Sequence, residues 1–398
     1  MTERQVTEID DVWIISKGSR RYDMDESKST WATLPIVRIV QKSSEIFAVT
    51  APNLYDYEGA SLLYVAYAIV VCLSQLTASA LSTYVHWTKR SSGMSMTSNV
   101  LFTIVRLQLA LTNVTSIVTL VLVKRRRLVG KTRRLGNVER TLQANFQRTI
   151  DYKPTVLTAQ LGLFIGLILC IGIFDVYVTA SSLQYDAFDA AIHSSYRLQV
   201  FIVALTTAQV RCCCARIQAA VEFANERMRD TLRTVAGEAT FFLRRYDELC
   251  DAVDAVSDVY GAAMLMIVGC VVANLLAGSS ALLKVLTVVR RDDALLLTSL
   301  FGIVEYAVIS VMLAVPCGNA SNEARKTCLV SYKILLGFQG SSRFGRCKNV
   351  KEELLLLAEH VRARNVRFST GFFPVDYNVL FLILGSVATY LIIILQFQ

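Results

Sequence analysis

The sequence predicts an all-α, polytopic membrane protein with seven transmembrane helices. Hydrophobic residues make up 54% of the chain, and its mean hydropathy is +0.45. In soluble domains the apolar fraction is about 45–50%, even with glycine included. A helix needs about 20 apolar residues to cross a bilayer. We place seven such segments at 59–84, 98–123, 155–180, 198–215, 260–284, 294–315 and 375–397.

Basic residues determine the predicted orientation, because Lys and Arg stay on the cytoplasmic side of a membrane. With the N-terminus inside, the four cytoplasmic segments hold 33 Lys and Arg, and the three extracellular connections hold 5. The sequence therefore predicts a cytoplasmic N-terminus and an extracellular C-terminus. Residues 1–58 carry scattered charges and no apolar core, so we expect a cytoplasmic N-terminal segment without a cleavable signal peptide.

Two clusters at the cytoplasmic membrane edge each have two interpretations. The basic run at 124–127 is either a stop-transfer flank or a site for anionic lipid headgroups. Cys212, Cys213 and Cys214 are either packing residues or palmitoylated thiols. None of the ten cysteines lies in an extracellular connection, so we expect no disulfide bonds.

The long cytoplasmic connections carry apolar residues at spacings of three and four, which is typical of helices that pack side by side. They predict that the fourth and fifth spans continue as helices, and that residues 316–373 hold a further anchor helix at 351–364. The stripes are Ile217, Val221, Met228, Leu232 and Val235; Tyr246, Leu249, Val253, Val256 and Tyr260; and Val350, Leu354, Leu357 and Val361.

Charged residues at membrane depth are costly, and they usually mark functional sites. Within the predicted region 59–315, Arg106, Asp175 and Glu305 lie in the outer half or the middle of the membrane, and Lys284 ends the fifth span. Either Arg106 and the two carboxylates neutralise one another, or they line an outward-facing pocket for a small polar or amphiphilic ligand. The pocket candidates are Arg106, Gln108, Asp175, Tyr177, Asn274, Ser279, Thr298, Glu305 and Tyr306, with Ser280 and Ser299 nearby.

The last region, 374–398, has no charged residue after Asp376. Gly385, Thr389, Ile393 and Gln396 repeat at helical spacing and form one narrow small-and-polar stripe. This stripe is either a seam between packed helices or the lining of a pore.

The C-terminus carries a short motif. Thr389 and Tyr390 are followed by the five aliphatic residues 391–395 and then by Gln396 and Phe397. This motif resembles the terminal signature of the insect gustatory receptors. Residues 371–376 also resemble the family, and so does the pair Leu249–Cys250 followed by Val253, Tyr260 and Gly261. The resemblance implies a ligand-gated, non-selective cation channel opened by a small-molecule tastant, in the plasma membrane of gustatory neurons. It also implies a tetramer, either of identical subunits or with sister receptors.

The same resemblance implies roles for individual residues. The last helices of four subunits surround the pore, with Ile393 as an apolar gate and Gln396 as a polar ring beside it. The tastant pocket lies in the outer half of the bundle. The sugar-receptor branch commonly has Glu directly after the Thr-Tyr pair, whereas this chain has Leu391, which favours a bitter compound over a sugar.

Other classes fit less well. A G-protein-coupled receptor needs the opposite orientation, and a secondary transporter normally shows inverted repeats and interrupted spans. The sequence contains no phosphate-binding loop, dinucleotide fingerprint, nucleophile elbow or metal-spaced histidine pair, so we expect no enzyme, cofactor, metal or nucleic-acid partner. The expected partners are a tastant, membrane lipids and other receptor subunits.

Overall fold

The computed structural model describes residues 31, 33–50, 62–85, 87–88, 96–182, 187–231, 239–287, 293–339, 348–364 and 366–396. Within these ranges the chain forms ten α-helices and a π-helical continuation of α3, Val118–Val123. The helices are α1 Pro35–Ile46, α2 Leu62–Val85, α3 Met96–Ile117, α4 Arg125–Phe146, α5 Pro154–Ser182, α6 Ala187–Thr231, α7 Ala239–Thr287, α8 Asp293–Gln339, α9 Lys348–Ala363 and α10 Tyr377–Gln396.

The predicted all-α fold is confirmed. In the described chain, six helices (α2, α3, α5, α6, α7 and α8) are long and apolar enough to cross a membrane, and α10 is a shorter apolar helix. Each of the seven predicted spans falls on one of these helices. The fourth boundary needs correction, because α6 begins at Ala187 and Arg197 lies inside it rather than in a connection.

Helices α6, α7 and α8 are 45, 49 and 47 residues long. Each therefore extends roughly 70 Å at ~1.5 Å per residue, more than twice the ~30 Å hydrocarbon core. The predicted helical extensions are thus confirmed. Their stripes are buried, as at Met228 (1% exposed) and Leu249 (2%), whereas Leu232 and Val235 lie outside the described residues.

The predicted anchor helix is α9, which packs against α7 and α8. Its inward residues Leu354 and Leu357 are fully buried. The Arg364 guanidinium, just beyond α9, contacts Asp247 on α7 at 2.8 Å and also contacts Asp251. We call the end of the molecule that holds α9 the anchor end.

A second ion pair fastens the start of α5 to α6 at the anchor end. Lys153 Nζ lies 2.7 Å from Glu222 Oε1. The hydrogen bond to Glu222 raises the pKa of the Lys153 ammonium above its ordinary value.

The N-terminal segment contributes a short amphipathic helix to the packed bundle, although residues 1–58 contain no long apolar run. Helix α1 buries Val37 and Val40, and Trp31 before it is 1% exposed. The Trp31 ring meets Tyr152 edge to face at 5.1 Å. The helix is amphipathic, so its apolar residues are diluted by charged neighbours and do not raise the local hydropathy.

Pro316 lies inside α8. Proline has no N–H to donate to the carbonyl four residues earlier, so the helical hydrogen-bond ladder is interrupted there. Helix α8 otherwise continues unbroken from Asp293 to Gln339.

A non-helical turn separates the anchor helix from the last helix, since α9 ends at Ala363 and α10 begins at Tyr377. Gly371 has a φ of +94°, a left-handed conformation that favours glycine. The Val375 N–H donates to the Phe368 carbonyl at 2.7 Å and closes the turn. Gly261 on α7 permits close approach of this turn, since a Cβ there would lie 3.0 Å from the Ser369 carbonyl oxygen.

Candidate functional site

A buried ion-pair network joins three helices at the end of the molecule opposite α9. Arg197 of α6 contacts Asp175 of α5 through Nε at 2.6 Å, and Glu305 of α8 through its terminal nitrogen at 2.6 Å. The Asp175 and Glu305 side chains are 3% and 1% exposed. His193, one turn before Arg197, also contacts Asp175. We call these four residues the charge network and this end of the molecule the network end.

An aromatic and amide cluster adjoins the charge network. The Tyr196 hydroxyl donates to Asn274 Oδ1 at 3.1 Å and lies 3.3 Å from the Tyr306 hydroxyl. Asn274 Nδ2 in turn donates to the Cys270 carbonyl at 2.8 Å. Tyr196 therefore connects α6 to both α7 and α8, directly beside Arg197.

Electrostatics explains why these side chains are held together. A buried charge without a partner is expensive, and removing one member of a buried ion pair typically costs about 3–5 kcal/mol. Here one guanidinium faces two carboxylates, and His193 contacts one of them. The arrangement offers hydrogen-bonding groups and aromatic faces in one place, which suits the recognition of a small polar or amphiphilic molecule.

The arginine that binds the two carboxylates is Arg197, and not Arg106 as the sequence suggested. The Arg106 guanidinium instead lies over the Phe102 ring at 4.1 Å from its centroid. It also lies 5.8 Å from the Tyr196 ring centroid, so it reaches the cluster through an aromatic face.

The remaining predicted pocket residues occupy several positions. Gln108 of α3 donates to the Met266 carbonyl of α7 at 3.5 Å. Tyr177 is 68% exposed on α5, whereas Ser279 and Thr298 are partly buried on α7 and α8. The side chain of Lys284 lies outside the described residues.

Sequence reasoning missed His193, Tyr196 and Arg197. Their spacing of three and four places them on one face of a helix, which was the available signal. The predicted fourth span begins at residue 198, so the sequence prediction leaves all three residues in the connection before it.

The last helix, α10, is covered only at its beginning. Val379 and Ile383 are 4% and 2% exposed and pack with α7 and α8. The predicted pore stripe lies on the uncovered part: Gly385, Thr389, Ile393 and Gln396 are all exposed in the isolated chain. Tyr390 of the terminal signature is partly buried, and Phe397 lies outside the described residues.

The first turn of α10 is fastened to α8. The Tyr377 hydroxyl donates to Asn319 Oδ1, and the Tyr377 ring lies against Gly318. Asp376 caps the start of the helix, since its Oδ1 accepts from the Asn378 N–H at 2.9 Å. Helix α10 is therefore packed against α8 at its first turn and is exposed toward its C-terminal end in the single chain.

The family model described as 7tm chemosensory receptor matches residues 59–398. The fold is similar to that of the insect olfactory receptor OR5 from Machilis hrabei, with a TM-score of 0.63, 12% identity, and coverage of 91% of this chain and 99% of that one. The structure of the same receptor in complex with eugenol gives a TM-score of 0.62, 13% identity and the same coverage. No curated protein sequence matches the chain. By the extent of the family match, this chain belongs to the 7tm chemosensory receptor family.

Proposed function

We propose that the protein is a gustatory-type receptor that acts as a ligand-gated, non-selective cation channel. The observation that carries the proposal is the uncovered second half of α10, where Gly385, Thr389, Ile393 and Gln396 form one exposed stripe. Among the described residues this stripe combines small, hydroxyl, apolar and amide groups on a helix of lipid-facing composition. The side-chain amide of Gln396 would be costly in hydrocarbon without a hydrogen-bond partner. Contact of Gln396 with water or with another subunit is therefore favoured over contact with lipid.

The proposed assembly is a tetramer, formed by identical subunits or with sister receptors. Four α10 helices around one axis bury each other's uncovered faces and leave the stripe facing a central pathway. In this arrangement Ile393, 45% exposed in the single chain, forms the gate. A ring of four Ile side chains closes a narrow pore by excluding water.

The proposed ligand site is the charge network together with the Tyr196–Asn274–Tyr306 cluster. The structure of the olfactory receptor OR5 has been determined in complex with eugenol. For this chain a small tastant is proposed. A bitter compound is favoured over a sugar because Leu391 stands where the sugar branch commonly has Glu.

Helix α8 links the proposed site to the proposed pore. It carries Glu305 and Tyr306 at the site, and Gly318 and Asn319 against the first residue of α10. Tyr306 and Gly318 are twelve residues apart on this helix, or roughly 18 Å at ~1.5 Å per residue. A ligand that binds one arrangement of α8 more tightly shifts the population of open pores.

The test is electrical recording from cells that express this chain alone in the plasma membrane. A panel of bitter compounds, sugars and eugenol is applied while G-protein signalling is blocked. The proposal expects a ligand-evoked cation current that persists under the block. A response that disappears under the block identifies a G-protein-coupled mechanism and overturns the channel proposal.

A further inference from the structure

A cleft lies toward the anchor end, between α1, α4, α6 and α7. Its volume is about 70 Å³. Most of its walls are apolar, with Trp31 and Val40 on the α1 side, Leu135 on α4, Ile217 on α6 and Val256 on α7. It shares no lining residue with the charge network, and so it is a separate place in the molecule.

Two polar side chains in this cleft have an atom without a partner. Gln209 is 7% exposed and Thr50 is 2% exposed. Within the described part of the chain, neither Gln209 Oε1 nor Thr50 Oγ1 has a hydrogen-bond partner. A buried polar atom normally has one, and leaving it unpaired costs free energy. Both residues line the cleft, so a donor located there would satisfy them.

The neighbouring charges do not supply that donor. Arg216 also lines the cleft, but its guanidinium makes two hydrogen bonds to Glu139, at 2.8 and 2.7 Å. The ion pair is deeply buried, with side chains 6% and 3% exposed. Because the arginine charge is neutralised by its partner, the cleft does not favour an anionic occupant.

We propose that this cleft is a second ligand site, which binds a small phenol or cyclic alcohol. The ring contacts the apolar walls, and the hydroxyl donates to Gln209 Oε1 or Thr50 Oγ1. A cavity of about 10–15 Å³ is enough for one water molecule. The cleft, at about 70 Å³, therefore has room for a compact molecule of several heavy atoms. A water cluster is a weaker candidate, since each water needs two to four polar partners and the walls are mainly apolar.

The test uses tryptophan fluorescence, because Trp31 lines the cleft. The chain has three tryptophans, so replacing Trp13 and Trp87 with Phe leaves Trp31 as the only emitter. The full-length receptor in lipid nanodiscs is titrated with 4-bromophenol, whose bromine quenches a nearby indole. The matched control probe is 4-bromoanisole, which keeps the ring and the bromine but cannot donate a hydrogen bond.

We expect saturable quenching by 4-bromophenol that is reversed by unbrominated p-cresol. The anisole should bind about tenfold more weakly, which corresponds to one lost hydrogen bond. The variant Gln209→Leu should weaken phenol binding by a similar factor and leave anisole binding unchanged. If that variant does not elute as an intact receptor, Thr50→Val replaces it.

Two results would overturn the proposal. The first is quenching that rises linearly with probe concentration and is the same for both probes and for the receptor with and without Gln209→Leu. It would mean that the probes only partition into lipid and that the cleft holds water at most. Saturable quenching that is equal for the phenol and the anisole would remove the hydrogen-bonding assignment. Neither readout depends on current, so failure here is separable from failure of the channel proposal.

Discussion

Gly318 of α8 is in close contact with the ring of Tyr377, the first residue of α10. A Cβ added at Gly318 would lie 2.7 Å from Cε2 of that ring, closer than side-chain carbon atoms approach one another. The Tyr377 hydroxyl also donates to the next residue on α8, Asn319. Glycine at this position therefore allows the pore-helix candidate to sit directly against the helix that carries Glu305.

The first prediction tests this contact with Gly318→Ala. The added methyl group must displace Tyr377, and overpacking of this kind costs about 1–3 kcal/mol. We expect a lower thermal unfolding temperature and a smaller maximal ligand-evoked current at equal surface expression. The matched control is Gly302→Ala on the same helix, where a Cβ meets nothing within 4 Å. Equal currents from the two variants would show that the contact does not affect gating.

A second prediction concerns the charge network. Replacing Arg197 with Met leaves Asp175 and Glu305 buried without their cation, at a cost of about 3–5 kcal/mol. We expect the receptor to fail to reach the surface or to unfold at a markedly lower temperature. Antibody staining of an extracellular epitope tag on intact cells measures surface delivery, and thermal unfolding in detergent measures the change in stability.

The control for this variant is the triple replacement Asp175→Asn, Arg197→Gln and Glu305→Gln, which removes all three charges together. It should recover much of the surface expression, because no charge is left alone. If the network is also the ligand site, the triple variant should still lose its response to ligand. Full expression of Arg197→Met alone would contradict the ion pairing.

The third prediction tests the proposed gate. Replacing Ile393 with Ser should produce a current without ligand, because a polar ring no longer excludes water. The matched control is Ile392→Ser, which changes the neighbouring residue, 56% exposed on another face of α10. A silent Ile393→Ser channel with normal surface expression would count against the gate assignment.

The fourth prediction concerns orientation. The distribution of Lys and Arg predicts that the C-terminus is extracellular. An epitope tag fused after Gln398 should bind antibody on intact cells, and a tag before Met1 should bind only after permeabilisation. The reverse pattern would place α10 with its exposed end toward the cytoplasm and would remove the proposed pore geometry.

Much of the fold was predictable from local patterns. Hydropathy located the apolar helices, because each of them is a continuous apolar stretch of the sequence. Spacing located the anchor end, because Leu354 and Leu357 recur at the period that places them on one face. These features depend on neighbours in the sequence, which is why a single chain reveals them.

The charge network was less accessible because it depends on neighbours in space. Asp175 and Glu305 were identified as costly residues, but the choice between Arg106 and Arg197 depends on how α5, α6 and α8 pack. Arg197 also lowers the average hydropathy at the start of α6, which moved the predicted boundary past it. Helix α1 was missed for a similar reason: Trp31 and Val40 are buried against other helices, while their sequence neighbours are polar.

Pro316 lies two residues before the contact between Gly318 and Tyr377. Since the helical ladder of α8 is weakened there, the easiest place for α8 to bend is also the place where α10 is attached. A tilt of the network end of α8 relative to its anchor end would therefore be centred near Pro316, and it would reach α10 through the attachment at Tyr377.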